Sequence, residues 1–479
     1  MLARFSLPVA AALGLGLGLT LLSSAGWLAL PLVAAALLHA TTAPGPRALV
    51  ARLFWTGTFY SAGTLWWVMI LAGKALAFPP AGLLAWVLYA IQGAFLAAAG
   101  LIVSRVSTSP LSRIWWLAAA WLLLEWLRFL GPLAFPWPTL GAALLNTPLI
   151  QLADLGGVLL VSAVMLGSAA ALASWRWNRQ PLLWLVPVLA LCLGYGLTRQ
   201  PQSGPVQHAL LVRTDFDGFE RASGQLDLPA TLRRLSTERR PEELLIWPES
   251  SLHPSRLAEF PAPGLLGLVR SPLAGDPAAE NVVAAAADGL VVAENPKAKP
   301  VPFGESFPTF GGLLTPLYRS LEARTGFDLT HSVAPAAALQ PLPLGGVLYG
   351  AYVCYDSIFG WPARQLAAQG AQVLVNVSND SWFVSAGVRQ HFELGRIRAI
   401  ETRRYLLRSV HAGWAGTIND LGQPTQLLTS GEGAIHAEYR LLSGQTLYTR
   451  VGDLPALGVA AFFAAYGAWL GRRSRPQSV

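Results

Sequence analysis

Eight stretches of this chain are apolar over a length that, as helix, needs a hydrophobic surround, and they constrain the fold more than any other feature. They run at roughly 5 to 22, 25 to 40, 52 to 72, 80 to 103, 113 to 130, 156 to 175, 181 to 198 and 453 to 471. A helix crossing a bilayer uses about 20 such residues, because each backbone N–H and C=O has to be satisfied within the segment itself. Composition agrees: 53% of the 479 residues are hydrophobic and only 13% are charged, well below the roughly 25% charged share of a soluble globular chain. The expected fold class is a membrane α-helical bundle of eight transmembrane helices with a separate α/β domain, since the long segment between the seventh and eighth stretches reads differently.

The formal charge of +8 is not gathered in one basic patch, so nucleic acid is not an expected partner. Many of the cations sit at the ends of the apolar runs. If the spans alternate, Arg4, Arg47, Arg52, Arg105, Arg113, Arg176, Arg179, Arg472, Arg473 and Arg475 fall on one face, and Lys74, Arg128 and Arg199 on the other. That bias predicts a multi-pass protein of the bacterial cytoplasmic (inner) membrane with both termini of the uncleaved chain in the cytoplasm. The first stretch can also be read as a cleaved signal peptide, with Arg4 before a short apolar core and Ser23, Ser24 and Ala25 after it. The other spans keep their orientation either way. Within the first stretch, Gly14 and Gly18 fit a close helix-packing motif, although such glycines are common in membrane helices. Tryptophan, at 18 residues, suits anchoring at the membrane interface.

The expected division is seven spans in 1–200, a water-facing extracytoplasmic domain in 205–450, and the eighth span with a cytoplasmic tail in 453–479. Short apolar strands such as Ala209 to Val212, Leu244 to Trp247 and Val373 to Val377 mark the middle segment. Helical signals lie between them at Leu228 to Thr237 and at Val388 to Arg404. In the latter, Glu393 with Arg396, Arg398 with Glu401, and Glu401 with Arg404 stand three apart, which reads as an exposed, salt-bridged face. Glu125 and Arg128, also three apart near the end of the fifth span, are costly in lipid and read as a structural ion pair or a lipid headgroup contact.

Several signatures of familiar chemistry are missing: a phosphate-binding loop, HExxH, paired CxxC, and GxSxG, for which Gly304-Glu305-Ser306 fails by running into Pro308. No metal or organic cofactor is implied. Of the two cysteines, Cys192 lies inside an apolar run and Cys354 far from it, so no disulfide framework is implied and a lone thiol needs an explanation. Three segments each place one reactive residue at a strand end or in a stiff loop. Leu244-Leu245-Ile246-Trp247-Pro248-Glu249-Ser250 ends a strand in an acid. Pro296-Lys297-Ala298-Lys299-Pro300-Val301-Pro302-Phe303-Gly304-Glu305 is a proline-stiffened loop with two lysines and a glutamate. Val347-Leu348-Tyr349-Gly350-Ala351-Tyr352-Val353-Cys354-Tyr355-Asp356 is a strand that delivers a thiol and an acid. Taken alone, Cys354 reads more readily as a packing residue than as a nucleophile, and Lys297 as a surface charge. Taken together, they supply what thiol chemistry requires: a base to take the proton and a fixed cation for the oxyanion.

Those segments, with Asn376-Val377-Ser378-Asn379-Asp380-Ser381-Trp382-Phe383, resemble the nitrilase superfamily of carbon-nitrogen hydrolases and, within it, the apolipoprotein N-acyltransferases. The membrane part is similar too, at Leu65-Trp66-Trp67-Val68, at Glu125-Trp126-Leu127-Arg128 with Phe135-Pro136-Trp137, and at Gln151 with Gly156-Gly157. The resemblance implies a nitrilase-like αββα sandwich for the domain, with Glu249 as general base, Lys297 as oxyanion stabiliser and Cys354 as nucleophile. It also implies that Glu305, Tyr355, Asp356, Asn379 and Trp382 line the site. The implied reaction moves an acyl chain from a membrane phospholipid, through a thioester, to the N-terminal amine of a diacylglyceryl-cysteine apolipoprotein. Two other readings remain open: a membrane-anchored amidase or nitrilase that passes the acyl group to water, and a degenerate lipoprotein-binding module. The departures from the family pattern bear on them: Asp356 where glutamate is usual, Val384 for glycine, His411-Ala412-Gly413 for an asparagine-containing segment, Arg213-Thr214 for Gln-Gly-Asn, and a short stretch between Glu249 and Lys297.

Overall fold

A computed structural model describes residues 6–473 apart from 22, 24, 76–77, 108, 138, 217–226, 271–277, 326–331 and 385. Arg4, Ser24 and Arg475, used above to read topology, lie outside the described residues. Among the described residues, each of the eight apolar stretches is helical over most of its length. In chain order the helices of the first part are α1 (Ser6–Thr20), α2 (Ala29–Thr41), α3 (Pro46–Thr64), α4 (Trp67–Ala75), α5 (Ala85–Val106), α6 (Pro110–Leu127), α7 (Ala153–Ser174) and α8 (Gln180–Leu197). Counting their leading 3-10 turns, Pro79–Val106, Pro148–Ser174 and Gln180–Leu197 are long and apolar enough to cross a membrane by length and composition, as is Leu454–Arg473 at the other end of the chain. Ser6–Thr20 and Gly26–Thr41 are shorter apolar helices.

Two spans depart from the expected single helices. The third breaks between α3 and α4 at Leu65–Trp66. The reason lies across the chain: Trp67 Nε1 donates to Gln390 Oε1 at 3.1 Å, and Gln390 Nε2 donates to the Thr64 carbonyl at 3.0 Å. The sixth begins with a 3-10 turn at Pro148–Leu152 and kinks at Gly156-Gly157. Gly157 has φ +70°, and a Cβ there would lie 2.6 Å from the Tyr448 ring, so only glycine fits without strain. Gly14 and Gly18 do bring helices close, because a Cβ on either would strike the backbone of α3. Glu125 and Arg128 are tied to backbone: Glu125 Oε1 accepts from Leu140 N at 2.9 Å, and Arg128 Nε donates to the Phe135 carbonyl at 3.3 Å.

The rest of the chain builds one large sheet with helices outside it. Its strands are β1 (Val206–Thr214), β2 (Leu244–Ile246), β3 (Gly264–Arg270), β4 (Ala278–Ala287), β5 (Leu290–Pro296), β6 (Ser332–Val333), β7 (Leu342–Leu344), β8 (Val347–Val353), β9 (Val373–Asn379), β10 (Leu406–His411), β11 (Ala415–Ile418), β12 (Pro424–Leu428) and β13 (Gly433–Arg440). The helices are α9 (Leu228–Leu235), α10 (Thr315–Thr325), α11 (Gly360–Ala368), α12 (Ala386–Thr402), α13 (Leu447–Val451) and α14 (Leu454–Arg473). The path runs β5-β4-β3-β2-β1-β10-β9-β8-β7, with parallel pairing of β2, β1, β10, β9 and β8 in its middle. The two halves fold toward each other, so that Ile246, Leu265 and Val283 of one half share a core with Ala351, Val375 and Leu407 of the other. A second core lies outside the first half, where Leu228 and Leu232 of α9 pack, and a third outside the second half, with Ala363 and Leu366 of α11 and Phe392 of α12. This is the layered, barrel-like arrangement expected of an αββα domain.

The segment Val388 to Arg404 corrects the expectation of an exposed, salt-bridged face. Most of α12 is buried, because it packs between the sheet and the kinked α7. The Arg398–Glu401 pair exists at 2.8 Å, but both side chains are 1% exposed. Glu393 pairs with Arg389, not Arg396. Arg404 donates to the carbonyls of Ala371 and Gly444.

Candidate active site

Three strand ends meet at the edge where β2, β5 and β8 finish. The turn after β2 is tight: Ser250 has φ +52°, and the Pro248–Glu249 segment lies against Gly267 of β3, where a Cβ would crowd Glu249 Cα at 2.5 Å. Lys297 follows β5 directly. Its N–H donates to the Asn281 carbonyl at 2.7 Å, while Asn295 two residues earlier donates to the Ala351 carbonyl of β8 at 2.9 Å. That stitch brings the lysine loop beside the end of β8. Cys354 is the next residue there and adopts φ +46°, an unusual conformation for a non-glycine residue that is held when the surroundings over-determine it.

Lys297 Nζ sits between two carboxylates, 3.1 Å from Glu249 Oε1 and 2.7 Å from Glu305 Oε1. Lys297 and Glu249 are both nearly inaccessible, at 1% and 3% exposure. Burial works against the lysine's charge, but Glu249 and Glu305 outweigh it and hold the ammonium well above the usual lysine value. Asn281 Nδ2 also donates to Glu249 Oε1, at 2.6 Å, and Val301 N donates to Glu305 Oε2 at 2.9 Å. Glu249 Oε2 is buried with no hydrogen-bond partner. An orphaned carboxylate oxygen is expensive to bury.

The Cys354 thiol, 6% exposed, has its sulfur 4.0 Å from the Asn379 carbonyl. Burial pushes its pKa up, and the Glu249 carboxylate adds to that while Lys297 opposes it. The resting sulfur is therefore a neutral thiol. Tyr355 is pinned by its hydroxyl, which donates to the Ala134 carbonyl at 3.2 Å, and by edge-on packing against Phe359. Its side chain thus fastens the site to the membrane part, and its backbone N–H is the first one after the sulfur.

The structure brings Glu249, Lys297, Glu305 and Cys354 together, and it gives the other expected site residues different duties. Asp356 is fully buried behind the lysine loop, accepting from Ala298 N at 3.1 Å, Lys299 N at 2.7 Å and Val353 N at 3.2 Å. Burial pushes this carboxyl up to about 7 against the pull of Lys297 and those N–H groups. The Asn379 side chain caps its own turn, accepting from the Ser381 hydroxyl at 2.6 Å. Trp382 is 42% exposed, whereas the adjoining Phe383 packs edge-on against Trp67. Among the departures, His411 pairs with the Glu249 carbonyl at 2.8 Å and the Thr214 hydroxyl at 2.6 Å. Arg213 Nε donates to the Gly413 carbonyl at 2.6 Å. His411 and Thr214 thus support the Glu249 turn, while Arg213 ties down the segment after β10.

Sequence reasoning missed a buried network beneath the thiol. His391 Nε2 lies 2.8 Å from the Ser357 hydroxyl and 3.2 Å from the Cys354 carbonyl, and Nδ1 lies 2.8 Å from Asp380 Oδ1. Arg408 donates to Asp380 Oδ2 at 2.7 Å. Burial would raise the Asp380 carboxyl, but Arg408 and His391 hold it well below the usual carboxylate range. Cys354, Asp380 and His391 present donor atoms within 4.8 Å of one another, a set that could hold a metal ion. In this arrangement the His391 nitrogens and the Asp380 oxygens already have hydrogen-bond partners. Asn281, also missed, did carry a signal: an amide beside Glu280 at the head of an otherwise apolar strand.

Residues 13–171 match the family described as apolipoprotein N-acyltransferase N-terminal domain, and residues 237–446 match the carbon-nitrogen hydrolase family. Similar proteins named apolipoprotein N-acyltransferase occur in Nitrosomonas europaea, 29% identical over 93% of this chain and 94% of the relative. Those of Azotobacter vinelandii and Pseudomonas aeruginosa are each 31% identical, covering 90% and 91% of this chain and 88% and 89% of theirs.

Proposed function

Because the chain belongs to the apolipoprotein N-acyltransferase family, we propose that it acylates lipoproteins through a thioester on Cys354, with Glu249 as base and Lys297 as oxyanion stabiliser. It is a membrane acyltransferase built on a nitrilase-like hydrolase fold. The observation that carries the catalytic assignment is the buried Lys297 ammonium held between Glu249 and Glu305 beside a thiol at a strained strand end.

In the first step the unpartnered Glu249 Oε2 takes the thiol proton as the sulfur attacks the ester carbonyl of a phospholipid. The oxyanion is met by Lys297 and the Tyr355 backbone N–H. Collapse expels the lysophospholipid alkoxide, to which Glu249 returns the proton, leaving an acyl thioester. In the second step the neutral α-amine of a diacylglyceryl-cysteine apolipoprotein attacks that thioester, and its proton passes through Glu249 to the departing sulfur. Glu305 keeps Lys297 aimed throughout, and Asp356 holds the lysine loop to the thiol turn. The buried setting keeps water from the thioester, which favours transfer over the hydrolase reading. Full catalytic machinery with family membership likewise favours an enzyme over a binding module.

The apolar helices and the family support a fuller topology: eight spans in the cytoplasmic membrane, both termini inside, and the α/β domain of 205–450 outside. Donor and acceptor both carry acyl chains, so both reach the site along the bilayer. The experiment is complementation in cells depleted of their own enzyme. Wild type is expected to restore growth and N-acylated lipoprotein, while Cys354→Ala accumulates the diacylated form. Full rescue by Cys354→Ala overturns the assignment.

A further inference from the structure

A cavity of about 260 Å³, walled mostly by apolar side chains but with four charged ones among them, lies where the end of α6, the kink of α7 and the start of α14 meet the α/β domain. None of Glu249, Lys297, Glu305 or Cys354 lines it. Its charged lining is Arg364, Arg398, Glu401 and Asp453. Glu401 and Arg398 are each 1% exposed. Glu401 Oε1 accepts from Val158 N, an N–H released by the α7 kink, at 2.9 Å and from Arg398 at 2.8 Å. Two atoms of this buried pair, Glu401 Oε2 and Arg398 Nε, are left without hydrogen-bond partners. The Arg364 guanidinium rests on Gly452, where a Cβ would lie 3.3 Å from its central carbon, and half-buried Asp453 is the next residue.

We infer that this cavity is a lipid site separate from the thiol, and that it holds the headgroup of a zwitterionic phospholipid, one bearing a phosphate and a primary ammonium. With Glu401 and Asp453 ionised, two carboxylates and two guanidiniums sum to zero, so a ligand carrying a net charge leaves one sign uncompensated, while a zwitterion compensates both. The orphaned Glu401 oxygen wants a donor, which an ammonium supplies. Arg398 Nε and Arg364 want an acceptor, which a phosphate supplies in a geometry guanidinium fits well. Burial pushes the Glu401 carboxyl up to about 7, and a bound ammonium relieves it. A lipid, not a soluble zwitterion, is indicated by the cavity's apolar lip. Leu130 and Leu454 line it while 48% and 64% exposed, so acyl chains can run from the headgroup along the outsides of α6 and α14. This last step rests on those helices lying in a bilayer, as proposed above.

The test uses the full chain in vesicles containing equal amounts of a diether phosphatidylethanolamine and a diether phosphatidylglycerol, neither of which can donate an acyl chain. After extraction in mild detergent, lipids retained per protein are counted by native mass spectrometry. Acylation of Cys354 by an ester phospholipid is measured separately. Wild type should retain the ethanolamine lipid in preference to the glycerol lipid, and Arg364→Gln and Asp453→Asn should each lower that retention about tenfold. Acylation in both variants should stay within about twofold of wild type, which also reports that they fold. Unchanged retention in the variants, equal retention of both lipids, or a parallel loss of acylation overturns the inference. Failure of wild-type acylation alone counts against the catalytic reading and leaves the lipid count interpretable.

Discussion

Replacing Lys297 with methionine keeps the side chain's length and removes its charge, so it probes the site's electrostatics with little change in packing. The two carboxylates that share the ammonium do not suffer equally. Glu305 keeps its bond from Val301 N at 2.9 Å and, with 24% of its side chain exposed, can turn toward water. Glu249 has 4% side-chain exposure and keeps only the 2.6 Å bond from Asn281. The cost is therefore that of one stranded buried carboxylate, near the low end of the range for breaking a buried pair, about 3 kcal/mol. Losing an oxyanion donor slows the chemical step about 100- to 1000-fold. Adding Glu249→Gln removes the stranded charge and should recover about 2 kcal/mol of stability while leaving the rate as low or lower, because the base has gone as well. Chemical unfolding in detergent micelles reads the first quantity, and single-turnover acylation of Cys354 the second. A Lys297→Met protein that acylates within about fivefold of wild type refutes the oxyanion role, and a double variant that regains activity refutes the electrostatic reasoning as a whole.

Gln390→Leu should cost about 1–3 kcal/mol, because the indole N–H groups of Trp67 and Trp137 both donate to its amide oxygen and would be left buried and unpaired. Thermal unfolding checks this, and an unchanged midpoint contradicts the role given to Gln390 in the α3–α4 break. Gly157→Ala should lower stability by about 1–3 kcal/mol, from its φ of +70° and the Tyr448 ring 2.6 Å from the new Cβ, measured by the same unfolding. Glu401→Gln should change the pH dependence of stability. The folded carboxyl titrates at about 7, above the roughly 4.3 of an unfolded chain, so the folded state is the better proton binder. Wild type therefore gains stability as pH falls from above 7 toward about 4, by up to about 1.4 kcal/mol per pH unit at most, whereas Glu401→Gln lacks that gain. A parallel pH profile for the two proteins contradicts the assignment.

Residues that end strands were legible in the sequence because local pattern alone places them. Val347–Val353 is a continuous apolar and aromatic run that packs as a strand, so Cys354 falls at its tip, and the apolar strand Leu244–Ile246 leads into Glu249 in the same way. The eight apolar stretches were legible as helices for the same reason: hydrophobic length is a local property. Burial of charge was not. The spacing of Arg398 and Glu401 is identical on a solvated face and on a buried one, and only the packing of α12 under α7 decides between them. The His391–Asp380–Arg408 network was hidden because its members come from a helix, a strand and the turn after another strand, whose relative placement is set by tertiary contacts. The break at Leu65–Trp66 depends on Gln390, more than 300 residues away, and no window along the chain contains both. The anchoring of the lysine loop by Asp356 was not legible either, since a carboxylate that anchors a loop and one that lines a site look the same in sequence.

The most direct measurement follows a single acyl group in time. Protein is charged with isotopically labelled phospholipid, lysophospholipid is removed, and a diacylglyceryl-cysteine peptide with a free amino terminus is added. Mass spectrometry then tracks the label on the Cys354 peptide and on the acceptor. The account predicts that label leaves Cys354 at the rate at which it appears on the acceptor amine, and that Cys354→Ala carries none. Acceptor acylation that proceeds with no label on Cys354, or that survives its replacement, contradicts the thioester at the centre of the mechanism.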